Sequence, residues 1–170
     1  NGDSGFADRD DPDFLATLRP LNLYGWSKHV FDRRVARMVE AREAAPPRWY
    51  GLKFFNVYGP NEYHKGHMRS PVFNITEAVR RGEPARLFAS DRPDIEDGGQ
   101  SRDFVWVDDI CDVILWLLNG NAASGLYNIG AGRARSFADL ARAVFTALGK
   151  PPEIEFFPMP ETLRGRYQYW

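Results

Sequence analysis

The start of the longest helix predicted for this chain lies within Leu21-Asn-Leu-Tyr-Gly-Trp-Ser-Lys-His29, a stretch that contains Tyr24 and Lys28. Residues four apart lie on the same face of a helix, one turn from each other. An ammonium beside a phenol favours the phenolate, because an opposite charge stabilises the ionised form. The stretch therefore predicts a general base on a helix, although the same spacing also occurs by chance on many helices.

Outward from this stretch, the helix is predicted to run from about Tyr24 to Ala44. Ala45-Pro-Pro47 then stops it, because proline cannot continue a helix. The apolar stripe expected on one face of this helix is Val30, Phe31, Val35, Met38 and Val39. Trp49 to Val57 is dense in aromatic and aliphatic residues and predicts a buried strand, closed by Gly59-Pro60. A helix followed by an apolar strand predicts a layered α/β fold.

The rest of the chain continues this alternation, after a surface loop predicted for residues 1–20. Ser70-Pro71 predicts the start of a helix that ends near Arg81, with Gly82 as its C-terminal cap. The other predicted elements are a helix at 110–118, a helix at 137–148 that Ser136 caps, strands at 86–89, 102–107 and 154–157, and a short strand from Gly125 into a glycine turn. Asn61–Met68 is predicted to be a polar loop that directly follows a strand.

Composition excludes several classes of function. The 170 residues carry a net charge of −1, which gives no reason to expect nucleic acid or an anionic membrane surface as a partner. There is no run of about 18 apolar residues, so no membrane-spanning helix is expected. The single cysteine, Cys111, permits no internal disulfide, fits a reducing compartment and is predicted to be a small core residue.

Several motifs occur together in the order found in one enzyme family. They are Tyr24-x-x-x-Lys28, Phe55-Asn-Val-Tyr-Gly-Pro60, Arg102-Asp-Phe-Val-Trp-Val-Asp-Asp109 and Tyr127-Asn-Ile-Gly130. In this order they resemble extended short-chain dehydrogenases that act on nucleotide sugars. Two further stretches, Asn56–Met68 and Leu163–Gln168, narrow the resemblance to the ADP-L-glycero-D-manno-heptose 6-epimerase family, whose bacterial members make the heptose donor for lipopolysaccharide.

The resemblance implies the C-terminal portion of an NAD(P)-binding Rossmann fold with a smaller α/β substrate domain. The implied boundaries are 1–60 for the latter part of the NADP-binding domain, 61–100 for the first part of the substrate domain, 101–132 for a return to the Rossmann domain and 133–170 for the second part of the substrate domain. The family's Gly-rich turn, its Ser or Thr of the catalytic triad and its closing helices have no counterpart here. We therefore expect a fragment of a longer protein, inactive by itself and with weak or no NADP binding.

The activity implied by the resemblance is an isomerase reaction that inverts C6 of the heptose through NADP-dependent oxidation and re-reduction. The implied catalytic residues are Tyr24, Lys65 and Lys28, and the implied cofactor contacts are Lys28, Val57 and Lys65. The implied substrate contacts are Asn56, His67, Asn74, Phe88, Ala89, Ser90, Asp91, Arg102 and Tyr167. The resemblance further implies a cytoplasmic bacterial enzyme that forms a homo-oligomer at full length.

Three of these positions have plain structural alternatives. Lys65 would be interpreted as a solvated loop lysine without the resemblance, which favours a second acid/base instead. Arg102 suits a diphosphate, since guanidinium binds phosphate oxygens bidentately, but an ion pair with Asp103 is an equal alternative. Tyr167 has the alternative of simple exposure near the chain end.

Smaller departures concern His67 and Asn74, which stand where some family members have Ser and His. His64, His67 and Glu62 provide no fourth ligand at a usable spacing, so no metal site is predicted.

Two other functions stay open. A UDP-hexose 4-epimerase can work with one tyrosine and has no need of the His-Lys-Gly loop around Lys65. A non-catalytic portion that binds only the sugar of the substrate is the alternative for this chain by itself.

Overall fold

The computed structural model of the protein describes residues 7, 9–43, 46–120, 122–164, 167 and 169. They form a mixture of α-helices and β-strands, which confirms the predicted α/β class. The helices are α1 (Pro12–Thr17), α2 (Leu23–Glu40), α3 (Pro71–Arg80), α4 (Val107–Leu118) and α5 (Phe137–Ala147). The strands are β1 (Tyr50–Phe54), β2 (Asn56–Tyr58), β3 (Ala85–Phe88), β4 (Ser101–Trp106), β5 (Gly125–Ile129), β6 (Ala134–Ser136) and β7 (Ile154–Phe157).

The chain divides into two compact units. The first contains Asn1–Phe54 and Cys111–Ile129, and the second contains Phe55–Ile110 and Gly130–Trp170. The four domain boundaries expected from the sequence stay a prediction. No helix within the described ranges is long and apolar enough to cross a membrane.

The first unit is built around one parallel strand pair. β1 and β5 run side by side from Tyr50 opposite Gly125 to Phe54 opposite Ile129. Its buried cluster consists of Leu15, Leu18, Ala36 and Leu126, with Phe14 and Trp49 packed against it. Because α1 and α2 both contribute to this cluster, burial of apolar surface from these helices and β5 holds the unit together.

Helix α1 contradicts the surface loop predicted for residues 1–20. The Asp11 carboxylate accepts a hydrogen bond from the Phe14 amide at 2.8 Å, and Pro12 occupies the first helical position. Both features favour a helix start. Leu15 on this helix is fully buried. The stretch is therefore a short amphipathic helix, which its acidic composition did not indicate.

Helix α2 confirms the predicted start but not the predicted apolar stripe. It begins at Leu23 and ends at Glu40, four residues before the expected end. Its buried residues are His29 and Ala36, whereas Val30 is 58% exposed and Phe31 is 66% exposed. The small Ala36 side chain lets the helix pack closely on α1, and this contact decides which face turns inward.

The second unit contains two small sheets. β2 pairs in parallel with β4, which pairs in antiparallel with β6. β3 pairs in parallel with β7 from Ala85 opposite Ile154 to Phe88 opposite Phe157. Helices α3 and α5 cover the second sheet and form the core with it, through Ile75, Val79, Ala85, Leu87, Ala138, Ala141, Val144 and Phe145.

Local caps place both of these helices as predicted. The Ser70 hydroxyl accepts a hydrogen bond from the Phe73 amide at 3.1 Å, and the Ser136 hydroxyl accepts one from the Asp139 amide at 3.0 Å. Gly82 follows α3 with φ of +78°, a conformation that glycine adopts without strain. These helix starts were therefore readable from the sequence.

Three features differ from their predicted form. The single strand expected from Trp49 to Val57 is broken at Phe55 into β1 and β2, which have different partners. Helix α4 begins at Val107, so its acidic residues lie inside the first turn. Cys111 is exposed, contrary to the prediction of a core residue. Its neighbour Ile110 is buried instead, and adjacent helical residues point about 100° apart.

Candidate functional site

The segment that carries Lys65 connects β2 with α3 and is more ordered than the predicted polar loop. A 3₁₀ helix covers Tyr63–Met68, with a kink at Gly66, whose φ of +54° favours glycine. At the start of the segment, a Cβ atom on Gly59 would overlap with Val107 Cγ1, so only glycine fits there. The Lys65 amide donates to the Glu62 carbonyl at 3.1 Å and closes the first turn.

Three predicted site residues converge on one cleft in the second unit. Asn56 and Val57 lie on β2 and line a cleft of about 380 Å³ together with Lys65 and Phe104. The Lys65 side chain is 43% exposed, so its ammonium lies at the mouth of the cleft. An apolar wall beside an amide and an ammonium is a suitable surface for a polar organic ligand.

Glu62 is a residue of this cleft that the sequence reasoning did not single out as functional. It is only 4% exposed. Its Oε2 accepts from the Ser70 amide at 2.6 Å, and its Oε1 accepts from the Ser70 hydroxyl at 2.7 Å and from the Gly59 amide at 3.4 Å. Lys65 Nζ lies 3.7 Å from Oε2. Burial acts to raise the pKa of Glu62, but the hydrogen bonds from Ser70 and Gly59 and the Lys65 charge together hold that pKa below its ordinary value.

The neighbouring predicted contacts lie outside the lining of this cleft. His67 is exposed on the 3₁₀ helix, and Asn74 is exposed on α3, where its amide nitrogen donates to the Arg69 carbonyl at 3.4 Å. The described residues contain no group of three or more His, Cys, Asp or Glu side chains that could hold a metal ion. The roles of His67 and Asn74 as substrate contacts stay predictions.

A second group of predicted residues comes together at the end of β3. The Arg102 guanidinium lies 5.2 Å from the centre of the Tyr167 ring and 5.8 Å from that of Phe137. The Tyr167 ring meets Phe88 edge to face at 5.8 Å. A guanidinium between aromatic rings is stabilised by cation–π attraction and held in a fixed direction. Burial lowers the pKa of Arg102 and raises the pKa of Tyr167.

The alternative of an ion pair between Arg102 and Asp103 is not what the structure contains. The Asp103 carboxylate accepts hydrogen bonds from the Ala131 and Gly132 amides, at 2.7 and 2.8 Å. Arg102 donates to the Ser101 carbonyl at 2.6 Å and, among the described residues, pairs with no carboxylate. Its charge is therefore open to an anionic ligand.

The loop that follows β3 is held by Tyr169, a residue that the sequence reasoning missed. The Tyr169 hydroxyl accepts from the Asp91 amide at 2.9 Å and donates to the Asp91 carboxylate. The backbone carbonyl of Tyr169 accepts a hydrogen bond from the Ser101 amide at 2.8 Å. The Ala89 amide donates a hydrogen bond to the Phe157 carbonyl at 2.8 Å. The Ser90 amide donates one to the Asp97 carboxylate at 2.7 Å. The predicted stretch from Phe88 to Asp91 is thus fixed beside Tyr169.

Tyr24 and Lys28 belong to the first unit. The Asn22 side chain caps α2 by accepting from the Gly25 amide at 2.8 Å, which puts Tyr24 in the first turn. Lys28 Nζ lies 5.5 Å from the centre of the Tyr24 ring, as the four-residue spacing predicted. Tyr24 is 73% exposed, so its hydroxyl is accessible to a ligand.

Comparison with known proteins identifies the relatives of this chain. A protein named ADP-L-glycero-D-manno-heptose-6-epimerase from Nitratidesulfovibrio vulgaris (strain Hildenborough) is 46% identical over 167 residues, which are 98% of this chain and 50% of that protein. One of the same name from Fusobacterium nucleatum is 43% identical over 175 residues, which are 99% of this chain and 52% of that protein. The chain spans about half the length of these curated relatives.

Solved structures and a family profile agree with this relationship. The UDP-glucose 4-epimerase of Thermus thermophilus, solved in complex with NAD, matches with a TM-score of 0.63 and 30% identity, over 82% of this chain and 42% of that one. This match supports the expected Rossmann-type epimerase fold. The profile of the NAD dependent epimerase/dehydratase family matches residues 3–130. The chain therefore belongs to the NAD dependent epimerase/dehydratase family.

Proposed function

We propose that the complete protein containing this chain inverts C6 of the heptose in ADP-D-glycero-D-manno-heptose and forms ADP-L-glycero-D-manno-heptose. The observation that carries this proposal is the position of Lys65, at the mouth of a cleft that Asn56 and Val57 also line. The names of the relatives at 46% and 43% identity support the same substrate. The product would serve lipopolysaccharide synthesis.

Inversion through a ketone requires that a hydride leave one face of the carbon and return to the opposite face. An acid/base group on each side of the sugar allows this, because each hydride transfer is coupled to a proton transfer at the hydroxyl. We assign these two groups to Tyr24 and Lys65. The chemistry that NADP would supply when bound is reversible hydride transfer, which keeps the overall reaction redox-neutral.

The remaining residues of the chain have supporting roles in this proposal. Lys28, one turn from Tyr24, would hold the cofactor ribose with its ammonium. Val57 and Phe104 form the apolar wall of the cleft and keep water from the reacting carbon. Asn56 offers an amide to the sugar hydroxyls.

The residues present fit a nicotinamide cofactor. Val57 lies one residue before the carboxyl end of β2, a strand that pairs in parallel with β4, and cofactors of open α/β sheets bind beyond the carboxyl ends of such strands. The exposed Lys28 ammonium suits ribose hydroxyls. We propose NADP in place of NAD, a cytoplasmic location and a homo-oligomer from the family resemblance.

The aromatic group around Arg102 is proposed to hold the diphosphate of the substrate. Arg102 is charged, half-buried and free of a carboxylate partner among the described residues. Guanidinium binds phosphate oxygens through two parallel hydrogen bonds, and Tyr167 and Phe137 keep it in one direction. The nearby Asp91 loop would then face the nucleotide portion.

Arg102→Gln is expected to raise KM for the nucleotide sugar about 10–100-fold, because a hydrogen bond to a charged group contributes about 1.5–3 kcal/mol. The measurement is steady-state kinetics of the complete protein. Arg142→Gln is the matched control, since Arg142 is exposed and pairs with Asp139 on the same helix, at 3.1 Å. An unchanged KM in Arg102→Gln would contradict the proposal that Arg102 binds the diphosphate of the substrate.

A UDP-hexose 4-epimerase is the second candidate; its support is the 30% identity to the Thermus thermophilus enzyme, which is lower than the 46% and 43% identity to the heptose epimerases. The two functions differ at Lys65, which only the two-base reaction requires. The test offers the complete protein ADP-D-glycero-D-manno-heptose and UDP-galactose in parallel and follows the sugar stereochemistry by proton NMR.

Inversion at C6 of the heptose alone is the expected outcome of this test. Turnover of UDP-galactose alone would keep the fold and the role of Tyr24, but it would reject both the substrate and the acid/base role of Lys65.

A further inference from the structure

Glu62 is a buried carboxylate for which the reaction proposed above has no use. An ionised carboxylate removed from water is costly unless other groups pair with it. Here both oxygens are satisfied: Oε1 by Gly59 and the Ser70 hydroxyl, and Oε2 by the Ser70 amide and the Lys65 ammonium. The residue is therefore held ionised at one defined position.

These contacts join the two ends of one segment. Gly59 directly follows β2, and Ser70 is the N-cap of α3. By binding both, Glu62 closes the segment into a loop whose middle carries Lys65. The backbone adds a further link, because the Lys65 amide donates to the Glu62 carbonyl at 3.1 Å. The path from Glu62 to Lys65 is thus short, both through the main chain and through the side chains.

A purely structural role for Glu62 would need only the contacts with Gly59 and Ser70. In the structure, the Glu62 carboxylate also lies beside the Lys65 ammonium. Oε2 lies 3.7 Å from Lys65 Nζ, and Glu62 and Lys65 line the same cleft. The Lys65 side chain ends at the mouth of this cleft, where a long flexible side chain loses entropy if it is held in one direction. A fixed negative charge beside its ammonium provides that restraint.

We propose that Glu62 is a positioning residue that acts through Lys65. Its carboxylate holds the Lys65 ammonium at the mouth of the cleft and clamps the segment on which Lys65 is carried. This inference rests on the proposed role of Lys65 as an acid/base.

The test is Glu62→Gln in the complete protein. Glutamine has the same shape and still offers one oxygen to Ser70, but it removes the charge that faces Lys65. We expect kcat to fall about 10–100-fold, the range that misplacing a reacting group by about 1 Å costs. KM for ADP-heptose is expected to stay close to that of the wild type. Glu62→Asp keeps the charge and is expected to recover part of the lost kcat.

Two further variants separate positioning from stability. Glu77→Gln is the matched control, because Glu77 pairs with Arg80 at 3.2 Å on α3 and lies outside the cleft; its kcat is expected to be unchanged. Ser70→Ala removes the helix cap and a Glu62 partner but leaves the charge beside Lys65. Its melting temperature is expected to fall, with a smaller loss of kcat than in Glu62→Gln.

A double-mutant cycle makes the link to Lys65 specific. In a Lys65→Met background, which has no ammonium for Glu62 to hold, the fold loss of kcat caused by Glu62→Gln is expected to shrink, because coupled residues are not additive. Equal losses in both backgrounds would overturn the inference. A normal kcat in Glu62→Gln would also overturn the inference. The same holds if Ser70→Ala has the same melting temperature as Glu62→Gln and loses as much kcat. If Glu62→Gln fails to fold, Glu62→Asp is compared with Ser70→Ala in the same way, and a larger loss of kcat in Ser70→Ala overturns the inference.

The inference and the proposed function fail in different ways. Normal turnover by Lys65→Met would reject the role of Lys65 and with it the basis of this inference. An inactive Lys65→Met together with a fully active Glu62→Gln would reject only the role of Glu62.

Discussion

Lys65→Met is expected to lower the rate of the proposed heptose inversion by the complete protein about 10²–10⁴-fold, the contribution of a positioned general acid/base, which is the role proposed for Lys65. Methionine keeps the apolar stem of the side chain and removes the ammonium at the mouth of the cleft. The side chain is partly exposed, and Glu62 retains its hydrogen bonds from Ser70 and Gly59, so the fold is expected to persist. The measurement combines proton NMR of the sugar with a thermal unfolding curve.

Lys53→Met is the control for this substitution. Lys53 also forms an ion pair, with Asp32 at 3.2 Å, but it belongs to the first unit. Its loss is expected to cost up to about 1 kcal/mol of stability and to leave turnover intact. Near-normal inversion by Lys65→Met would remove Lys65 from the reaction.

Tyr24→Phe is expected to produce a loss of the same order, about 10²–10⁴-fold, because it deletes the other proposed acid/base group. The substitution removes one hydroxyl and keeps the ring that lies against Lys28. Since Tyr24 is largely exposed, no buried hydrogen bond is broken and the melting temperature is expected to stay within experimental scatter. Rates and unfolding curves of the variant and the wild type provide the comparison.

Tyr63→Phe is the matched control for Tyr24→Phe. Tyr63 is exposed as well, and its ring packs edge to face on Phe73, a contact that phenylalanine preserves. Normal turnover is expected for the control. If Tyr24→Phe and Tyr63→Phe were equally active, the phenol of Tyr24 would have no part in the reaction.

Features that depend on residues close together in sequence were predicted well. The Ser70 and Ser136 caps and the Gly82 turn each involve groups within a few positions of one another, so side-chain chemistry alone places them. The same holds for Tyr24 and Lys28, whose contact follows from helical geometry. Helix α1 shows how a local signal can be missed, because the acidic composition of its surroundings outweighed the Asp11 cap in the prediction.

Burial was predicted less well than secondary structure. The apolar stripe expected on α2 includes Val30 and Phe31, both exposed, while Ala36 is buried against α1. An apolar side chain can be buried only where a second element covers it, and the sequence of one helix does not contain that information. Cys111 is exposed for a similar reason, since the buried face of α4 passes through Ile110.

The functional roles of the site residues stay predictions, whereas the residues that support the cleft were not predicted at all. Asn56, Val57 and Lys65 were expected from the resemblance, and the structure brings them to one cleft. Glu62 had been considered only as a metal ligand, because its partner Ser70 lies beyond the 3₁₀ helix. Tyr169 was missed because its partner Asp91 lies 78 positions away.

By itself, the sequence determined where the main helices and strands form, how the caps start α3 and α5, and that Tyr24 and Lys28 share a face. Hydrogen bonds and backbone preferences within a few residues are strong enough to decide these features. Only the tertiary structure decided which strands pair, which face of α2 is buried, and that Glu62 and Tyr169 hold the segments around Lys65 and Asp91. Those contacts join distant parts of the chain, so their free energy arises only when the whole unit has folded.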